Sequence, residues 1–294
     1  KIPDTILDRM KIIKCESYSS YDKKQIVRNY IANKIAKTYG LESILISDEA
    51  LDLLVDEYSI SLGVRDCEKD LDRIVVRKAR ENGGNFTHDI LEIGVNDVRI
   101  ALGSNRLRGL NDIPKGEKIL PGQAQALAVS GNYGSCFAIQ TMINEYQDEP
   151  VIVTGLPEGS CRESITDAMF LVSQYLKKKL PNLYIHMTDS GVKKDGPSAG
   201  LTLFCSIMSC MLNKPLPNVA FTGTIDVLYS TVGIIGGVEE KITAAERKGI
   251  EKVYIPFENY EELQEKGKIE RFKPEIVPVR NLSEVLKELF DFEI

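Results

Sequence analysis

A polar stretch rich in turn-forming residues divides the chain into two parts with different hydrophobic patterns. Residues Ser104 to Gly122 read SNRLRGLNDIPKGEKILPG, with Pro114, Pro121 and several glycines and neither helical nor alternating spacing of apolar side chains, which is the signature of a linker. No single core runs through such a segment, and a chain of 294 residues has the length for two domains. The boundary is placed near residue 112, giving a first domain 1–111 and a second 112–294.

The part upstream is mostly helical. From Tyr21 to Lys37 the apolar residues Ile26, Val27, Tyr30, Ile31 and Ile35 fall on one helical face, with Gly40 as a stop. Ser47 opens a second helix through Tyr58, a third runs from about Val64 through Val75, and a short one near Asn96 to Leu102 follows an extended run at Ile90 to Ile93. Downstream the period changes repeatedly. Strand-like runs (124–129, 137–142, 151–153, 183–187, 252–255 and 275–279) alternate with helical ones (165–176, after Ser198, 238–248 and 283–290), and Val219–Thr222 and Val232–Ile235 read as strands around a hairpin. The class is α+β: a small helical domain, then one of α/β character.

Composition narrows the function. A net charge of −6 and a pI near 5.3 argue against a duplex-DNA binder working by phosphate neutralisation. The longest apolar run, Leu201 to Leu212, is broken by Thr202, Ser206 and Ser209 and is too short for the roughly 20 residues of a membrane span. There are two histidines, His88 and His186, and no tryptophan, so a Ser-His-Asp hydrolase or a histidine-rich metal centre has little to be built from. The six cysteines form no C-x-x-C pair, and their density is that of a reducing, intracellular protein rather than a disulfide scaffold. The chain starts at Lys1 without a methionine, as a piece of something longer does.

The segment KDGPSAG, Lys194 to Gly200, sets Ser198 between a proline and small residues, after a strand and before a helix. Such a turn exposes the hydroxyl, and the helix start supplies backbone N–H groups of the kind an oxyanion needs. Taken alone, a serine there is most often a helix cap. A nucleophile also needs a base, and with histidine scarce the candidate is Lys241 in GGVEEKITAAERKG. At its ordinary pKa a lysine is neutral in only about one molecule in 2,500 at pH 7. Apolar neighbours (Val238, Ile242, Ala244, Ala245) and a place near a helix N-terminus both push that pKa down. Glu239 and Glu240 would oppose this if they faced the same way, but adjacent helical positions do not share a face. Alone, a lysine beside two glutamates is usually a solvated surface group.

DGPSAG, then Thr222-Gly223, then GG-x-x-EK with its lysine 43 positions after the serine, resembles the proteolytic domain of the Lon family of ATP-dependent Ser/Lys proteases. TGLPEGSCRES (Thr154 to Ser164) and IPFEN (Ile255 to Asn259) are similar to further blocks of that family. IPDTILDRM resembles the end of the Lon ATPase core, at residues 1–14, and GVRDCEK the sensor-2 helix of its AAA+ lid. The resemblance implies Ser198 as nucleophile and Lys241 as general base, within the turn that includes Gly196 and Pro197. It implies Thr222, Asp195, His186 and Glu163 as polar residues lining the site, with Thr222 orienting the lysine. In the lid it implies Arg9 as the arginine finger toward a neighbouring subunit and Arg65 as the sensor-2 arginine, guanidinium suiting a phosphoryl charge. No metal site is implied in this chain.

Departures from the family pattern fall around the site: Tyr184 stands at a histidine position, Thr188-Asp189-Ser190 where P-E-G is usual, Thr224 at a glutamate position, and Val129 where the family carries tryptophan. One residue is lost before Thr222 and one gained between it and Gly236. No G-x-x-x-x-G-K-[ST] occurs, so ATP and Mg would belong to a full-length parent rather than to this chain. The implied partners are unfolded or misfolded proteins and five further copies in a homo-hexamer, with no membrane or nucleic acid, in a bacterial cytoplasm or an organelle matrix such as the mitochondrial one. Two other readings stay open: a substrate-binding or ring-assembly module of the same fold without turnover, and an ATP-independent Ser/Lys amidase.

Overall fold

The computed structural model describes residues 10, 18, 20–59, 63–81, 90–103, 119–130, 133–188 and 194–292, and it divides into two compact units, Lys1–Gly103 and Ser104–Ile294. Arg9 and most of the segment likened to the ATPase core lie outside the described residues, as do 104–118 of the linker.

In the first unit one helical rod runs through α1 (Ser20–Ile26), a π-helical turn (Val27–Ile31) and α2 (Ala32–Tyr39). It stops at Gly40, whose left-handed φ of 69° lets its N–H turn back to the carbonyls of Ala36 and Lys37. After strand β1 (Ser43–Ile46), the Ser47 hydroxyl accepts from the Ala50 N–H at 3.2 Å and so caps α3 (Asp48–Leu53), which carries Asp48 and Glu49 at its positive end. A second π-helical turn (Leu54–Tyr58) follows, then α4 (Arg65–Glu81), β2 (Ile90–Ile93) and α5 (Val95–Leu102). β1 and β2 pair in parallel. β1 has no counterpart among the expected elements: four residues with only Ile44 buried carry no readable alternation. Val27, Leu54, Leu71, Ile74 and Val98 form the fully buried centre of this unit. At its edge the Lys24 ammonium lies 2.8 Å from Asp52 and 2.6 Å from Asp56.

The second unit is built on a seven-stranded mixed sheet of order β11-β10-β7-β3-β4-β6-β5. Its strands are β3 (Gln123–Ser130), β4 (Tyr133–Ile143), β5 (Val151–Thr154), β6 (Leu183–Met187), β7 (Val219–Phe221), β10 (Lys252–Pro256) and β11 (Glu275–Val279). β3 and β4 form an antiparallel hairpin, and β7, β10 and β11 lie parallel beside β3. Alternation along β3 and β4 sends Ala124, Ala126, Phe137 and Ile139 to one face, against α6 (Gly159–Leu176), α7 (Gly200–Leu212) and α10 (Leu282–Phe290). Leu127 and Cys136 go to the other, against α8 (Val238–Arg247) and α9 (Phe257–Glu265). The α+β class expected from the sequence is the one observed.

α7 is buried from Gly200 to Ser209, and each of Leu201, Leu203, Phe204, Ile207 and Met208 contributes about 1.5–3 kcal/mol of burial. The polar residues that interrupt this run are all satisfied. Thr202 donates to the Phe221 carbonyl at 2.9 Å, Ser206 to that of Gly122 at 2.7 Å, and Ser209 to that of Lys214 at 2.6 Å while accepting from the Gly122 N–H at 2.9 Å.

The expected hairpin is differently paired. Val219–Phe221 is the sheet strand β7, and the hairpin partner of β9 (Val232–Gly233) is β8 (Thr224–Ile225). The reason is the Thr222-Gly223 turn, which takes the chain out of the sheet and toward α7. Helix α9, which begins on Phe257 of the IPFEN block, has no counterpart among the expected elements either.

Candidate active site

The site forms where β7 ends. The Thr222 N–H donates to the Tyr254 carbonyl at 3.0 Å, and the next residue turns toward α7: the Gly223 N–H donates to the Ser198 carbonyl at 2.9 Å and the Gly223 carbonyl accepts from the Leu201 N–H at 3.1 Å. Ser198 lies in the single 3₁₀ turn Pro197–Ala199 that leads into α7. Gly196 before it has φ 97° and ψ 146°, a backbone region that only glycine adopts without strain. A Cβ on Gly200 would stand 3.0 Å from Ile225 of β8, so the small residues after the serine let the hairpin pack against the start of the helix.

The turn is held from the α6 side as well. Lys194 donates its N–H to the Leu156 carbonyl at 3.0 Å and accepts from the Glu158 N–H at 2.8 Å. Its ammonium is buried over the Phe137 ring, 5.3 Å from the centroid. Asp195 is exposed and accepts from the Gly196 N–H at 2.7 Å; it lies so close to Gly159 that a Cβ there would be 2.5 Å from its Oδ1.

Lys241 reaches the same point from the opposite face of the sheet. It sits one turn into α8, its N–H bonded to the Gly237 carbonyl at 3.0 Å, and is only 2% exposed. The helix lies directly on β4 at Gly134, where any Cβ would overlap the Glu240 carbonyl oxygen, and Arg247 donates to the Gly134 carbonyl. Gly237, in the left-handed region at φ 65°, would with a Cβ come within 2.7 Å of Val129. These close approaches bring the Lys241 ammonium to the Thr222 hydroxyl, to which it donates at 3.2 Å. The Thr222 hydroxyl in turn reaches the Ser198 carbonyl at 3.4 Å.

Burial pulls the Lys241 pKa down to about 8, with the carboxylate of Glu240 opposing. Glu239 is engaged elsewhere, 2.6 Å from Lys268. At a pKa of 8 about one lysine in ten is neutral at pH 7. Cys161 in α6 is no rival nucleophile: burial, then Asp195, push its thiol up to about 11.

The contacts thus join Ser198, Thr222 and Lys241, with Gly196 and Pro197 shaping the turn. His186 is elsewhere in the network. It shares a 2.7 Å hydrogen bond with Thr154, which also donates to Tyr184 at 3.3 Å, on the outer strands β5 and β6. Glu163 is exposed on α6; its neighbour Ser164 is the residue that faces the turn, donating to the carbonyls of Ser160 at 3.0 Å and Pro197 at 3.4 Å. Arg65 is exposed as the first residue of α4 in the other unit. Sequence reasoning passes over Ser164, Lys194 and Gly134. Only the position of Lys194, next to the serine turn, offers a signal.

Comparison with known proteins gives the family. The Lon protease (S16) C-terminal proteolytic domain matches residues 92–291. The chain is 32% identical to the Lon protease of Fervidobacterium nodosum over 97% of its own length and 36% of that protein. It is 32% identical to that of Syntrophomonas wolfei over 98% and 36%, and 33% identical to that of Buchnera aphidicola over 97% and 38%. The chain belongs to the Lon protease family and carries its proteolytic domain. It spans little more than a third of the length of these relatives. No helix among the described residues is long and apolar enough to cross a membrane.

Proposed function

We propose that the second unit is a serine endopeptidase in which Ser198 attacks a peptide carbonyl and Lys241 takes its proton, forming an acyl-enzyme that water then hydrolyses. The observation that carries this reading is the buried Lys241, drawn toward neutrality and held against the Thr222 hydroxyl, which also reaches the backbone carbonyl of Ser198. As the amine leaves, the protonated Lys241 returns the proton to it, so that the pair is restored after each half-reaction. Two of the first N–H groups at the start of α7 are occupied, that of Gly200 by Pro197 and that of Leu201 by Gly223. The oxyanion is therefore assigned to the N–H groups of Ser198 and Ala199.

The first unit is read as the helical lid of an AAA+ ATPase, with Arg65 near the nucleotide of its own subunit and Arg9 near that of a neighbour. The parent, a hexamer inside the cell, would use ATP and Mg to feed unfolded or regulatory proteins to the protease. The sequence has no phosphate-binding loop, so the nucleotide belongs to the part of the parent that precedes this chain, and no step at Ser198 involves it.

The test is peptide cleavage and labelling of Ser198 by a serine-directed fluorophosphonate. Ser198→Ala and Lys241→Met are each expected to lose at least about 100-fold in cleavage with the fold intact. Retained cleavage in either variant removes the dyad, and a wild-type chain that takes no label is a binding module.

A further inference from the structure

The chain just before the helix of Lys241 is held by a residue of another helix. The segment leading into α8 is Ile235-Gly236-Gly237, and its two glycines restrain the chain least of any residue type. Gly236 is exposed, and a Cβ on it would meet nothing within 4 Å. Ile235 is instead clamped by one side chain: its N–H donates to Asn259 Oδ1 at 2.9 Å, and its carbonyl accepts from Asn259 Nδ2 at 3.1 Å. The amide takes both hydrogen-bonding groups of one residue, as a neighbouring strand would. Asn259 is 5% exposed and stands third in α9. A buried amide satisfied at both ends holds its partner strongly, because losing it strands two polar groups away from water.

We infer that Asn259 is the positioning residue for Lys241: by clamping Ile235 it fixes the first turn of α8 and keeps the lysine seated, dry, against Thr222. This rests on the reading of Lys241 as the base. From Ile235 the path is short: Gly237 begins the helix, and its carbonyl accepts the Lys241 N–H. Among the described side chains, the titratable residues on α8 and the strands it packs against are Glu239, Glu240, Glu246 and Arg247 on α8, Cys136 on β4, and Lys252 and Tyr254 on β10; α9, in the same core, adds Glu258, Tyr260, Glu261, Glu262 and Glu265. Glu240 is the charged one whose field reaches Lys241, so water entering at a loosened helix start is the change that moves the lysine's titration.

The test measures the rate of fluorophosphonate labelling of Ser198 in the full chain from pH 6 to 10.5. Asn259→Ala is expected to move the midpoint of the rise upward from about 8. A midpoint higher by about one on the pH scale lowers the rate at pH 7 about tenfold, while the plateau at high pH stays near wild type. Leu263→Ala, one turn further along α9 and in the same core, is the control: it weakens the fold while leaving both Asn259–Ile235 hydrogen bonds in place, and should keep the wild-type midpoint. Should Asn259→Ala not fold, Asn259→Ser is read in the same way. A wild-type midpoint in the Asn259 variant makes Asn259 a purely structural residue and overturns the inference while the dyad stands. A Lys241→Met variant that labels with the wild-type pH profile overturns the reading of the base itself.

Discussion

Lys24 in the helical unit and Lys241 in the sheet unit are both lysines drawn out of water, yet they end on opposite sides of the ordinary ammonium pKa. For Lys24 burial lowers the pKa, but Asp56 and Asp52 at ion-pair distance outweigh it and the net direction is up. For Lys241 burial is opposed only by Glu240, its hydrogen-bond partner is a neutral hydroxyl, and the pKa falls to about 8. Burial by itself therefore does not make a lysine a base. It does so when the group that receives its hydrogen bond carries no charge.

The largest test of this contrast is Thr222→Asp, which gives Lys241 the kind of partner Lys24 has. The lysine then titrates at or above 10.5, its neutral fraction at pH 7 falls about 300-fold, and peptide cleavage at neutral pH should fall with it. The two lysines also predict opposite pH slopes in stability. Because the folded pKa of Lys241 lies below its unfolded value, burying the charge costs about 3 kcal/mol below pH 8, and that cost disappears as the pH rises to 10.5. Denaturant unfolding should show this gain in wild type and not in Lys241→Met. Lys24, with its folded pKa raised, contributes stability at neutral pH that is lost as the pH rises through that raised value.

A smaller effect is expected from Glu240→Gln, which removes the one opposing charge. The acid limb of the cleavage profile should move to lower pH, with a modest gain in rate at pH 7. The smallest is Asp56→Asn, which should leave cleavage at its wild-type rate while destabilising the helical unit by about 1–3 kcal/mol, read as a lower melting transition. A loss of cleavage there would mean that the two lysines are not independent.

The residues that can be read from sequence are those whose role is local. Gly40 as a helix stop, Ser47 as a cap, the small-residue turn around Ser198 and a lysine one turn into a helix all follow from neighbours in the chain. The pairing of Asn259 with Ile235 and the bare approach of Gly134 to Glu240 join positions 24 and 106 residues apart, and no period in the sequence encodes them. Ser164 illustrates a finer limit: it and Glu163 are adjacent, and only the rotation of α6 in space decides which one meets Pro197. The partner of β9 escapes the sequence for a related reason, since pairing depends on where the Thr222-Gly223 turn sends the chain.

The bare glycine on β4 has a practical consequence. Because α8 rests on Gly134 backbone to backbone, the spacing between helix and sheet is set by a missing side chain. Alanine, serine and valine at that position would each push α8 away from the strand by a different amount. The distance between Lys241 and Ser198 could then be changed from beneath, with both residues left unaltered.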